Sequence, residues 1–171
     1  MKKFTLLLAF IGIVTFQSCT VNETAPINTV DNDTISEVWE YSRSFTTTNN
    51  FSNLITYPHA IYSSDMVLVY RLSGITGGND IWKLLPETYY FNSGVLDFRY
   101  DFDFTRYDVN IYMEGFDLAG ISSVYRINQI LRVVVIPGFF GNKKANTVDV
   151  NDYNAVVKAF NINPKKVLKI K

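Results

Sequence analysis

Asp97, Asp101 and Asp103 fall within one alternating stretch, Leu96 to Phe104, and they are the side chains best placed to do chemistry. On an extended strand, residues two apart share a face and stand about 7 Å apart. Two carboxylates so arranged suit acid/base work on a glycosidic bond. Three could give oxygen ligands to calcium. Arg99 stands among them, however, and a basic residue there favours a self-neutralising, solvated face. A polysaccharide-acting enzyme built on Asp97, Asp101 or Asp103 is therefore the alternative expectation, not the leading one.

Other reactive groups are scarce. His59 is the sole histidine and Cys19 the sole cysteine. One histidine gives a serine triad only one candidate base, and the sequence around His59 offers no Gly-x-Ser-x-Gly elbow to go with it. Nucleotide-binding glycine patterns are absent too. A lone thiol excludes a disulfide framework and a four-thiolate zinc site. Asp149, Asn151 and Asp152 resemble a fragment of a calcium loop, but without its glycine and terminal glutamate they read better as helix-capping residues. No catalytic residue, metal site or cofactor is expected.

Aromatic residues make up 15% of the chain, with eleven Tyr and thirteen Phe, a composition that favours sheet over helix bundle. Trp39, Trp82, Tyr89, Tyr90, Tyr107 and Tyr112 could form a stacking platform for sugar or a patch for a partner. Tyr112, Trp82 and Tyr107 are the candidates for ligand-facing positions. Sixteen basic and sixteen acidic side chains balance, so nothing points to nucleic acid or to an anionic surface.

The first nineteen residues carry a different signal. Lys2 and Lys3 precede a thirteen-residue apolar run, Phe4 to Phe16, then Gln17, Ser18 and Cys19. The run is too short to span a bilayer, which takes about 20 apolar residues. Its order of basic, apolar and small residues is that of a secretory signal. Phe16-Gln17-Ser18-Cys19 resembles the lipobox of bacterial lipoproteins, in the relaxed form of Bacteroidota. That resemblance implies cleavage after residue 18, acylation of Cys19, and an envelope location, with the outer membrane favoured and its facing left open. Loss of the two lysines leaves fourteen basic and sixteen acidic side chains, formally −2. Residues 19–36 are polar and, from Thr20 on, free of aromatics, so they read as a tether. Within it Asp33-Thr34-Ile35 resembles a Bacteroidota O-glycosylation acceptor, with Thr34 the modified residue.

Residues 37–171 must then hold the fold, as one domain. Phe98, Tyr100, Phe102 and Phe104 alternate with charges, and Val109, Ile111 and Met113 alternate across the short connection Thr105 to Tyr107, which predicts an antiparallel hairpin. Asp65–Leu72 and Ile130–Ile136 are more continuously apolar and read as central strands covered on both faces. Glu37–Thr46 reads as an edge strand, Glu87–Phe91 and Lys166–Ile170 as short ones. Tyr153, Val156, Val157 and Phe160 form a helical stripe behind Asp149 as cap. Together these predict a mainly β fold: an antiparallel sandwich or open barrel of seven to nine strands with one C-terminal helix. The layout resembles small Bacteroidota lipoproteins and implies a membrane-anchored, non-enzymatic domain that binds an envelope protein or glycan, or is purely structural.

Overall fold

A computed structural model describes residues 35–91, 94–138 and 147–170. The lipobox cysteine Cys19, the signal segment 1–18, Thr34 and all but the last two residues of the tether lie outside the described residues.

Alternating and continuous apolar stretches become two sheets of different kinds. Among the described residues, strands β1 (Glu37–Arg43), β2 (Ser52–Thr56), β3 (Met66–Thr76), β4 (Asn79–Leu84), β5 (Glu87–Tyr89), β6 (Phe98–Phe104), β7 (Asp108–Gly115), β8 (Gln129–Ile136) and β9 (Leu168–Ile170) are accompanied by an α-helix, α1 (Tyr153–Ala159). The first sheet runs β4-β3-β8-β1-β9 and the second β2-β7-β6-β5. Among the described residues only the β1–β9 pairing is parallel. The result is a sandwich with a helix near the C-terminus.

Periodicity decides which sheet is covered twice. In β8, Val133 and Val135 enter the core between the sheets, with Trp39, Tyr41 and Val69 from the first sheet. Tyr100, Val109 and Ile111 fill it from the second. Val134 and Ile136 point the other way, onto Tyr153, Val156 and Phe160 of the helix layer. A strand covered on both faces carries apolar residues at successive positions, as β3 does over Met66–Tyr70 and β8 over Val133–Ile136. β6 and β7 have one solvated face and alternate.

Several local expectations change. β1 lies between β8 and β9 rather than at the edge. The three-residue β9 covers it by parallel pairing, which no short-range pattern announces. β2 was absent from the strand reading because SNLIT is short and polar. β3 continues past Gly74 to Thr76, with a register irregularity between Leu72 and Gly74. Gly77 and Gly78, both at positive φ, then make the turn into β4. The α1 cap is Asp152, whose carboxylate accepts from the Asn154 and Ala155 N–H groups at 2.9 and 3.2 Å. Asp149 instead closes the preceding turn on the Asn151 N–H at 2.9 Å. Leu96 and Phe104, expected on the buried face of β6, are exposed. Leu96 precedes the strand and Phe104 is its last residue, beyond the reach of the opposing sheet.

Candidate functional site: an aromatic cleft above a buried ion pair

Arg71 is the starting point, because a cation within an otherwise apolar strand must find a partner inside the protein. It is 4% exposed on β3, and its partners Glu87 and Gln129 are 7% and 6% exposed. Its guanidinium donates to both Glu87 oxygens, from Nε at 2.7 Å and Nη2 at 3.1 Å. Nη1 donates to Gln129 Oε1 at 2.9 Å, and Nη2 also reaches the Tyr89 hydroxyl. The cation lies 4.8 Å from the centre of the Tyr100 ring. β3 and β8 belong to one sheet and β5 to the other, so the pair crosses the sandwich. Burial pushes the Glu87 carboxyl up; the bidentate Arg71 contact and the Tyr89 hydroxyl outweigh it and hold the carboxyl below its ordinary value. Burial likewise lowers Arg71, and Glu87 with its neighbours more than restores it.

This polar chain continues outward. Gln129 Nε2 donates to the carbonyls of Val124 and Ile127, each at 2.9 Å. The Tyr100 hydroxyl donates to the Tyr125 carbonyl. Both contacts hold the β7–β8 loop, which Arg126 fixes further by donating to Ile121 O at 2.7 Å and Ala119 O at 3.3 Å. Tyr89 stacks on Phe98 at 4.6 Å and meets the Tyr125 ring edge-on at 5.1 Å. Phe91 lies 5.3 Å from Tyr125. An aromatic floor therefore rests directly on the buried pair.

Above that floor the β5–β6 and β7–β8 loops enclose a cleft of about 640 Å³, walled by Phe91, Leu96, Phe116, Ile121 and Tyr125, with Asp97 and Asp117 between them. That volume lies in the range of small-molecule and peptide pockets. Gly115 lets the loops approach: a Cβ there would stand 2.5 Å from Asp97 O and 3.0 Å from Leu118 Cδ2. Phe91, Val95 and Leu96 are exposed and Phe116 is fully so. Exposed apolar side chains gathered along one cleft are the kind of surface that can take a partner. Asp97 Oδ2 accepts from the Phe91 N–H at 2.5 Å, and Asp117 Oδ1 from the Gly120 N–H at 3.0 Å.

The residues singled out from the sequence scatter around this cleft. Asp97 lies in it. Asp101 is 3.2 Å from Arg99, which is 2.5 Å from Glu114, on the outer face of the second sheet. Asp103 is exposed on the same strand, opposite Asn110. Tyr112 is on that outer face too, half-buried opposite Asp101, its hydroxyl pushed up by burial and by Asp101, Glu114 and Asp103. Tyr107 is exposed in the β6–β7 turn, with Arg106 5.9 Å from its ring. Trp82 packs in the helix layer, 3.9 Å beneath the Arg132 guanidinium and 5.6 Å from Tyr153. His59 pairs with Glu37 at 3.0 Å and meets Trp39 edge-on, far along the chain from the cleft loops. Tyr112, Trp82 and Tyr107 are thus not brought together. Among the described residues no group of three or more His, Cys, Asp or Glu could hold a metal ion.

Phe116, Tyr125, Arg71, Glu87 and Gln129 escaped the sequence reading. The signal for Arg71 was present, as a charge inside the run DMVLVYRL expected to be covered on both faces. Phe116 gave no signal, because the loop Gly115 to Asn128 has no periodicity. No protein-family model, curated protein or solved structure matches the chain.

Proposed function

We propose that this chain is an envelope lipoprotein, anchored through acylated Cys19, whose β domain is a non-enzymatic binding module with the cleft as its binding face. The observation that carries the binding role is the exposed aromatic wall of Phe91, Leu96 and Phe116 on a floor held by a buried ion pair. Apolar surface left in water on rigid supports favours association over chemistry. The two carboxylates in the cleft serve as backbone acceptors, and Asp101 is engaged by Arg99, so the acidic residues weigh towards structure rather than acid/base catalysis.

The anchor rests on the first nineteen residues. Several acyl chains, at about 0.8 kcal/mol per buried CH₂, would make attachment stable. A tether from Thr20 to Ser36, seventeen residues, would reach about 60 Å when extended, enough to hold the cleft clear of lipid headgroups. The proposed partner is an envelope macromolecule, not nucleic acid.

Intact mass of protein extracted from bacterial membranes, compared with Cys19→Ser, tests the anchor. The expected mass is that of residues 19–171 plus acyl groups, with the variant moving to the soluble fraction. An unlipidated mass, or a Cys19→Ser protein that stays on the membrane, would overturn it. Phe116→Ser tests the binding face: crosslinking in intact cells should lose a partner band that the parent chain shows, and an unchanged pattern would refute the role of the cleft.

A further inference from the structure

Among the described residues the cleft carries two acidic side chains and no basic one. Asp97 and Asp117 each use one oxygen on a backbone N–H, and among the described residues the other oxygen of each has no hydrogen-bond or ion-pair partner. Among the described residues no Lys or Arg lines the walls; Arg126, the cation of the β7–β8 loop, is turned onto the carbonyls of Ile121 and Ala119. Contrast the outer face of the second sheet, where Arg99 stands between Asp101 and Glu114, at 3.2 and 2.5 Å.

This imbalance discriminates between ligands. A neutral sugar could donate hydroxyl hydrogen bonds to the two carboxylates but brings no countercharge, so it offsets less of the cost of stripping water from them than a cation does. An anionic ligand would add repulsion. A cation would form charge-assisted hydrogen bonds to the free oxygens, which are shorter and stronger than neutral ones. It would also sit among the rings of Phe91, Phe116 and Tyr125, whose faces attract cations. A small amine alone would leave most of the apolar wall, and Phe116 above all, in water.

We infer that the cleft binds a cationic, apolar segment of a partner protein, in which lysine or arginine is flanked by large apolar side chains. This rests on reading the cleft as the binding face. The base sits between Asp97 and Asp117, and the flanking side chains cover Leu96 and Phe91 on one loop and Phe116 and Ile121 on the other.

The test measures binding to the full chain purified in mild detergent. Three probes are used: a fluorescent octapeptide of two lysines among leucine and phenylalanine, its counterpart with glutamate for lysine, and cellohexaose. The variants are Asp97→Asn with Asp117→Asn, which keep an oxygen for the Phe91 and Gly120 N–H groups, and Phe116→Ser. The lysine peptide should bind, with Kd rising at least about tenfold in the double asparagine variant, since both charge-assisted contacts to the base are then lost. The glutamate peptide should be at least as much weaker. Equal binding of both peptides, or indifference to the asparagine pair, overturns the inference; if that binding still collapses in Phe116→Ser, the cleft remains the binding face for other chemistry. Cellohexaose binding without peptide binding does the same. Failure of all three probes overturns the inference, and an unchanged crosslinking pattern in Phe116→Ser then removes the binding face as well.

Discussion

Arg71→Met tests whether the buried pair holds the sandwich together. Methionine keeps much of the volume and removes the charge, leaving Glu87 at 7% exposure without the guanidinium that donates twice to it. Breaking a buried pair by deleting one partner costs about 3–5 kcal/mol. A domain of this size has roughly 5–15 kcal/mol in all. Lys83 complicates the figure usefully: its Nζ is 3.3 Å from Glu87 Oε1 and its side chain is half-exposed, so it can lean in and recover part of the loss. The single variant should therefore lose about 3 kcal/mol, and Arg71→Met with Lys83→Gln nearer 5. Replacing the pair with apolar groups is often neutral or stabilising, so Arg71→Met with Glu87→Leu should return to within about 1 kcal/mol of the parent. Urea unfolding at pH 7 reads this as midpoint shifts at constant slope. A single-variant loss below about 1 kcal/mol, with the apolar pair no better than the single, would refute the argument. The apolar pair should also bind the lysine peptide more weakly despite its restored stability, because Gln129 then loses the donor that orients it toward the Val124 and Ile127 carbonyls.

Other expectations follow from the same geometry. Glu87 is held below its ordinary value of 4.5, so its contribution is complete above that pH and is lost as pH falls through the lower folded value; unfolding midpoints should drop below pH 4.5, and Glu87→Gln should flatten that part of the profile. Gly115→Val forces a side chain against Asp97 O and Leu118, and should cost about 1–3 kcal/mol while spreading the two cleft loops; a melting temperature equal to the parent's would contradict the close approach. Trp82→Ala removes the ring under Arg132 and beside Tyr153, and should cost about 2 kcal/mol by urea unfolding with no change in peptide binding. Phe116→Ser, at a fully exposed site, should move stability by no more than about 0.5 kcal/mol, so any loss of binding reads the cleft alone.

Class, hairpin and helix were legible because they are local and periodic. The β6–β7 alternation required one wet and one dry face, and the consecutive apolar residues Met66–Tyr70 of β3 and Val133–Ile136 of β8 required cover on both. The stripe from Tyr153 to Phe160 required a helix packed on something apolar. Each follows from neighbours within about eight residues. The lipobox and tether readings share that locality.

What only the tertiary structure decided joins residues that sequence keeps apart. β9 pairs with β1 across more than a hundred positions and turns an expected edge into an interior strand. Arg71 meets Glu87 and Gln129 from two other strands in two sheets, and the cleft joins loops whose residues carry no period to read. Tyr112, Trp82 and Tyr107, alike as aromatics, part company because strand register and turn position send them to three different surfaces. The sequence by itself determined that there would be a β domain with one doubly covered sheet, since periodicity records burial. Where the aromatic cleft forms was decided by which loops the sheet order brings to one end, a long-range fact that no local pattern encodes.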